Sequence, residues 1–152
     1  MVDRNLLLAV RDGRAAMSIM LLRTLPSEYA ILRTTATKIL RHVFQDPWWR
    51  SEVCDGVLSQ FMDLLLCHRV QADTRLRDSG VTPFLICAEL HRPETMRVLL
   101  RHGASPLRRD VHGHGVEDYA QDSDFVASVL RDGYSYRGGH GCLTKSAAPR
   151  AR

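Results

Sequence analysis

The chain has no apolar run approaching the roughly 20 residues that span a bilayer, no CxxC pair, no basic cluster interleaved with aromatics, and no catalytic fingerprint. Each absence removes a class of function. Asp3 and Arg4 precede only a very short apolar patch, which is not a signal-peptide layout. A soluble intracellular protein is expected, cytoplasmic with a nuclear location left open, and no membrane partner. The P-loop, GxSxG, HExxH and dinucleotide motifs are missing, and the Gly-rich segment at His112 follows no strand of a βαβ unit. No enzyme, cofactor, metal or small-molecule substrate is therefore expected. The net charge of +4 comes from 21 basic residues dispersed among 17 acidic ones, a mild excess that does not point to nucleic acid. Cys54, Cys67 and Cys87 fall in apolar helical patterns and Cys142 in a Gly-rich tail, so reduced, buried thiols are expected.

What is present is core-forming material: 152 residues, 45% hydrophobic and 25% charged, exclude disorder as the main state. The clearest local logic lies between Asp78 and Asp110. Gly80 supplies a positive φ for a turn, Thr82 can cap a helix, and Pro83 takes the first helical position, where its missing N–H costs nothing. Phe84, Ile86, Cys87 and Ala88 form a short apolar run, and Arg92-Pro93 interrupts it. Thr95, Met96, Val98, Leu99 and Leu100 resume a second helix that ends at Gly103, a left-handed terminator.

The stretch GVTPFLICAELHRPETMRVLLRHGASPLRRD resembles one ankyrin repeat, with the Gly-x-Thr-Pro start, two helices, and a Gly-Ala step before an extended hairpin. Leu85 stands where that family usually has His, and Ser105 where it has Asp. A shift of 78 residues places Ala9 on Cys87, Gly13 on His91, Met20 on Val98 and Arg23 on Arg101 without a gap, so the first helix pair resembles the same unit. Downstream, Gly80 to Gly113 and Cys87 to Ala120 are both 33 residues, the ankyrin period, with Gly115-Val116 in place of Thr-Pro. A short second helix over 124–131 completes a terminal capping pair.

Between Thr24 and Arg69 the pair is enlarged. Pro26-Ser27-Glu28 is expected to open a helix carrying Leu32, Ala36, Ile39, Leu40, Val43 and Phe44, with Arg33, Lys38 and Arg41 on its other face. Asp46-Pro47 stops it, and Ser51 is expected to cap the next helix. Trp48 and Trp49 fall in the turn between them, as wedges between helix ends or as an exposed docking anchor. Val70 to Asp78 has the sense of a hairpin, with Ala72-Asp73 matching the family's Ala-Asp and Gln71 at its usual Gly position.

The resemblance implies an all-α ankyrin-type helical-repeat solenoid of about four helix pairs with short hairpin loops. The repeat domain is expected over 1–132, with pairs at 4–24, 26–69, 81–103 and 114–132, and a disordered basic tail over 133–152. It also implies a non-enzymatic protein–protein interaction module, an adaptor, scaffold or inhibitor, that binds through hairpin tips and inner helices. The alternatives are a substrate-recruiting subunit of a larger complex such as a ubiquitin ligase, and a nucleic-acid-associated regulatory protein. Arg75 and Arg77 in one hairpin, and Arg108, Arg109 and His112 in the next, are the candidate partner-binding residues, suited to an acidic or extended protein segment. His112-Gly-His114 and His140-Gly-Cys142 have metal-ligand residue types, but turn and tail roles are expected for them.

Overall fold

The computed structural model describes residues 2–135, and among these are nine helices and no strand. The chain divides into two compact units, Met1–Gln71 and Ala72–Arg152. The expected basic tail lies outside the described residues from 136 onward, and its first three residues belong to the last helix.

In the first unit α1 (Val2–Arg11) and α2 (Ala15–Thr24) precede α3 (Arg33–Gln45), a short α4 (Pro47–Ser51) and α5 (Asp55–Cys67). Helix α1 buries Leu6, Ala9 and Val10, a three-and-four spacing that makes one apolar stripe. That stripe packs on α3, whose Ala36, Ile39, Leu40, Val43 and Phe44 are buried, while α2 packs on α5. The second pair therefore lies on the first, with like helices facing. Gly13 turns the chain between α1 and α2 at φ +69, and a Cβ there would come within 3.2 Å of the Trp48 ring. The backbone angle favours glycine, and the close approach leaves little room for a side chain.

The two tryptophans divide the roles considered for them. Trp49 is 1% exposed, donates its indole N–H to the Val10 carbonyl at 2.9 Å, and packs against Phe61. Trp48 is 40% exposed and lies over Gly13. They sit on α4 and not in an open turn, because the Asp46 carboxylate accepts the Trp48 N–H at 2.8 Å and Pro47 begins a helix.

Three sequence expectations fail in this unit, each for a stated reason. Residues 26–32 are not helical. The Tyr29 N–H closes a turn on Pro26, the Ile31 N–H goes to the His68 carbonyl, and the Leu32 N–H goes to Asp3 at 3.1 Å. Asp3 also accepts the Tyr29 hydroxyl at 2.6 Å, so the start of α1 clamps a segment about thirty residues on. Ser51 lies within α4, and Cys54 is the N-cap of α5. Cys54 is exposed and Cys67 is disulfide-bonded, so among the described cysteines only Cys87, free and fully buried, matches the expected state.

The second unit contains α6 (Pro83–Glu89), α7 (Pro93–Arg101), α8 (Val116–Ala120) and α9 (Ser123–Ser135). Helix α6 is buried along its length from Pro83 to Ala88, which explains its continuous apolar run. It packs on α7 and α8, while α7 packs on α9. His91 follows α6 at φ 50, the left-handed angle that Gly13 takes 78 residues earlier. Gly103 ends α7 at φ +89, and after α5 the corresponding angle, φ 63, falls on Arg69. Helix α9 is capped by Asp122, which accepts the N–H groups of Asp124 and Phe125. Across α7 and α9, Arg97 and Asp132 pair at 2.9 Å.

Among the described residues no helix is long and apolar enough to cross a membrane.

Leu99 is 0% exposed on the inward face of α7. Leu99→Ala is expected to lower the unfolding free energy in urea by about 2–5 kcal/mol through the cavity left behind. A loss below about 1 kcal/mol would mean that this face can collapse or is not packed.

Candidate functional site

All five candidate residues belong to the second unit, on the two loops that precede α6 and α8. In the first loop the Leu76 N–H bonds the Val81 carbonyl at 2.8 Å and the Gly80 N–H bonds Arg77 at 2.9 Å, with Gly80 at φ +75. In the second the Asp110 N–H bonds the His114 carbonyl and the Gly113 N–H bonds Asp110, both at 3.1 Å. The loops are joined directly, because the Val111 N–H donates to the Ser79 carbonyl at 2.8 Å. Repetition at 33 residues thus brings equivalent turns side by side without a ladder long enough to be a strand.

Arg75, Arg77, Arg108, Arg109 and His112 are all exposed. Their guanidinium groups are not equivalent. Arg109 donates to the Gly113 carbonyl at 2.8 Å, which holds it over the second turn. Arg75 lies beside Gly80, and Val111 lies against the same glycine. Arg108 faces the Asp73 carboxylate at 3.7 Å, while Arg77 is close enough to Tyr119 for its charge to be felt there. Val111 and Leu107 are 59% and 79% exposed, so the edge is apolar as well as cationic.

Two carboxylates missed as structural residues build this edge. Asp73 accepts the Ser105 N–H at 3.0 Å, 32 residues on, and burial raises its pKa against the opposing effects of Ser105 and Arg108. Asp110 is the stronger hub, with its side chain 2% exposed. One oxygen accepts the N–H groups of His112 and His114, each at 2.9 Å; the other takes His114 Nδ1 at 3.1 Å and the Tyr119 hydroxyl at 2.9 Å. Burial alone would raise its pKa, but the donors on His114, Tyr119 and His112 more than offset that and hold it well below the ordinary value of 3.8. Tyr119 is pushed up to about 12 by its burial, its bond to Asp110 and the neighbouring negative charge. The Asp-x-x-Gly pattern marked a turn; nothing local in the sequence marked Tyr119, nine residues away on α8, as its partner.

Gly115 takes the N-cap position of α8, with its N–H held by Asp118 at 2.8 Å, and α8 begins at Val116 as the 33-residue register requires. Thr82 occupies the N-cap position of α6 and Pro83 the first helical one, but the hydroxyl makes no cap bond. Thr82 is 1% exposed and its Oγ1 has no partner. The helix start is placed as expected; its cause is Pro83 and backbone angle rather than the side chain. His140 and Cys142 lie outside the described residues.

No family model and no curated protein matches the chain.

Two measurements test these assignments. Because Thr82 buries a hydroxyl without a partner, Thr82→Val is expected to raise stability by roughly 1 kcal/mol, the sign opposite to that of a working cap. A loss of that size would show a bond that the geometry lacks. Asp110 has a depressed folded-state pKa, so its contribution is present above its ordinary value of 3.8 and is lost as pH falls through the folded value. Thermal midpoints of the wild type should therefore drop from about pH 4 downward, with a shallower acid limb in Asp110→Asn. Parallel acid limbs would remove Asp110 as a cause.

Proposed function

We propose that the chain is a non-enzymatic protein-binding module of ankyrin type, with the paired loops before α6 and α8 as its binding edge. Four features support the solenoid reading. Like helices stack within each unit, α1 on α3 and α2 on α5, then α6 on α8 and α7 on α9. Left-handed residues recur at matching positions. The Gly80 and Gly113 turns are 33 residues apart. Finally, Asp73 holds the backbone of Ser105, 32 residues on.

The observation that carries the binding proposal is the bond from Val111 N–H to the Ser79 carbonyl, which sets one turn beside the next. Arg75, Arg77, Arg108 and Arg109 stand on these two loops and are exposed, as is Val111. Guanidinium groups in that arrangement suit an extended protein segment carrying carboxylates, each bound through paired N–H donors. Of the four, Arg108 already faces the Asp73 carboxylate.

The test is charge reversal at Arg77 and Arg109 in the full chain, read by capture of a partner and by thermal midpoint. Capture should be lost while the midpoint moves little, since exposed charges contribute about 0–1 kcal/mol per pair. Reversal of the exposed Arg33 and Arg41 on α3 is the control. Retention of the partner by the first variant and loss by the second would move the binding surface to α3.

A further inference from the structure

His112 and His114 have a setting that a turn alone does not call for. Their backbone N–H groups are both held by one oxygen of Asp110, and Gly113 between them takes φ +83, so the two side chains leave the same anchored loop. The second Asp110 oxygen is spent on a ring: His114 Nδ1 lies 3.1 Å from it. An ionised carboxylate can only accept, so Nδ1 carries the proton and the neutral ring presents its Nε2 lone pair. Fixing the tautomer and rotation of an imidazole through a carboxylate on its far nitrogen is the arrangement that prepares histidine to bind a metal. The carboxylate is itself fixed, by the Tyr119 hydroxyl at 2.9 Å and by burial.

The partner ring is close. The centroids of His112 and His114 are 6.0 Å apart, both residues are exposed, and the His114 side chain is 57% accessible. Two imidazole nitrogens sharing a metal, each at about 2.0–2.1 Å, need to approach to roughly 3.3 Å. Such a site therefore requires the exposed His112 side chain to rotate toward His114 when the ion binds.

The geometry points to a site for a transition-metal dication of the imidazole-binding kind, Zn2+ or Cu2+, held by His114 Nε2 and a ring nitrogen of His112. Asp110 is its positioning residue. Water fills the remaining coordination positions, so the site is open. Imidazole ligands favour these ions over Mg2+ and Ca2+, which take oxygen donors. This site goes beyond protein binding by the edge and does not depend on it.

The experiment titrates the full chain with ZnCl2 alone, at neutral pH, by calorimetry and by long-range 1H–15N spectra of the histidine rings. One ion per chain is expected at the loop, with the His112 and His114 ring signals moving and those of His42, His68 and His91 staying in place. His112→Ala/His114→Ala removes that binding event, and because His114 also bonds the buried Asp110, the single variant His112→Ala, confirmed folded by its circular dichroism, is expected to weaken it too. Asp110→Asn, with the ligands intact, weakens it by roughly 10–100-fold, as loss of an orienting carboxylate does. Unchanged zinc binding in the double-alanine variant, or ring shifts confined to other histidines, overturns the proposal. So does the absence of any heat of binding in the wild type. Equal zinc affinity in Asp110→Asn with a folded spectrum overturns the role of the carboxylate.

Discussion

Among the described residues the backbone between helices has no strand ladder to join, and three carboxylates accept part-buried backbone donors there. Asp3 accepts the Leu32 N–H, Asp73 that of Ser105, and Asp110 those of His112 and His114. A backbone N–H left unpaired in the interior costs about as much as a lost hydrogen bond. Two of the three carboxylates reach a segment about thirty residues on, so they also join one helix pair to the next.

That constraint shapes the candidate site. The edge before α6 and α8 is held from below by Asp73 and Asp110 and across the top by Ser79 and Val111. Its arginines stand on backbone that these hydrogen bonds hold. The His114 ring is likewise held by the buried Asp110 carboxylate while its side chain stays accessible.

In the first unit, long-range packing takes the place of loop carboxylates over much of the enlarged pair. Trp49 fills the space behind α1 and ties its indole to Val10, while Trp48 closes over Gly13 from outside. Two adjacent residues of one type thus have opposite exposures, because a helix turns successive side chains by about 100°.

Features that depend only on neighbours were legible in the sequence. Pro83 opens α6, Gly13, Gly80, Gly103 and Gly113 take the left-handed angles, and apolar residues at three-and-four spacing bury Leu6, Ile39 and Leu99. Each follows from a local dihedral preference or from helical periodicity, which a short window contains. Position on the loops was legible too, since Arg75, Arg77, Arg108, Arg109 and His112 are exposed beside their turns. What only the tertiary structure decided are the partners of polar groups. The non-helical path of residues 26–32 depends on Asp3 and His68, the Thr82 hydroxyl is enclosed without a bond, and Tyr119 reaches Asp110 from α8. A hydrogen bond needs two groups brought within about 3 Å, and where distant segments meet is settled by packing that no single stretch of residues encodes.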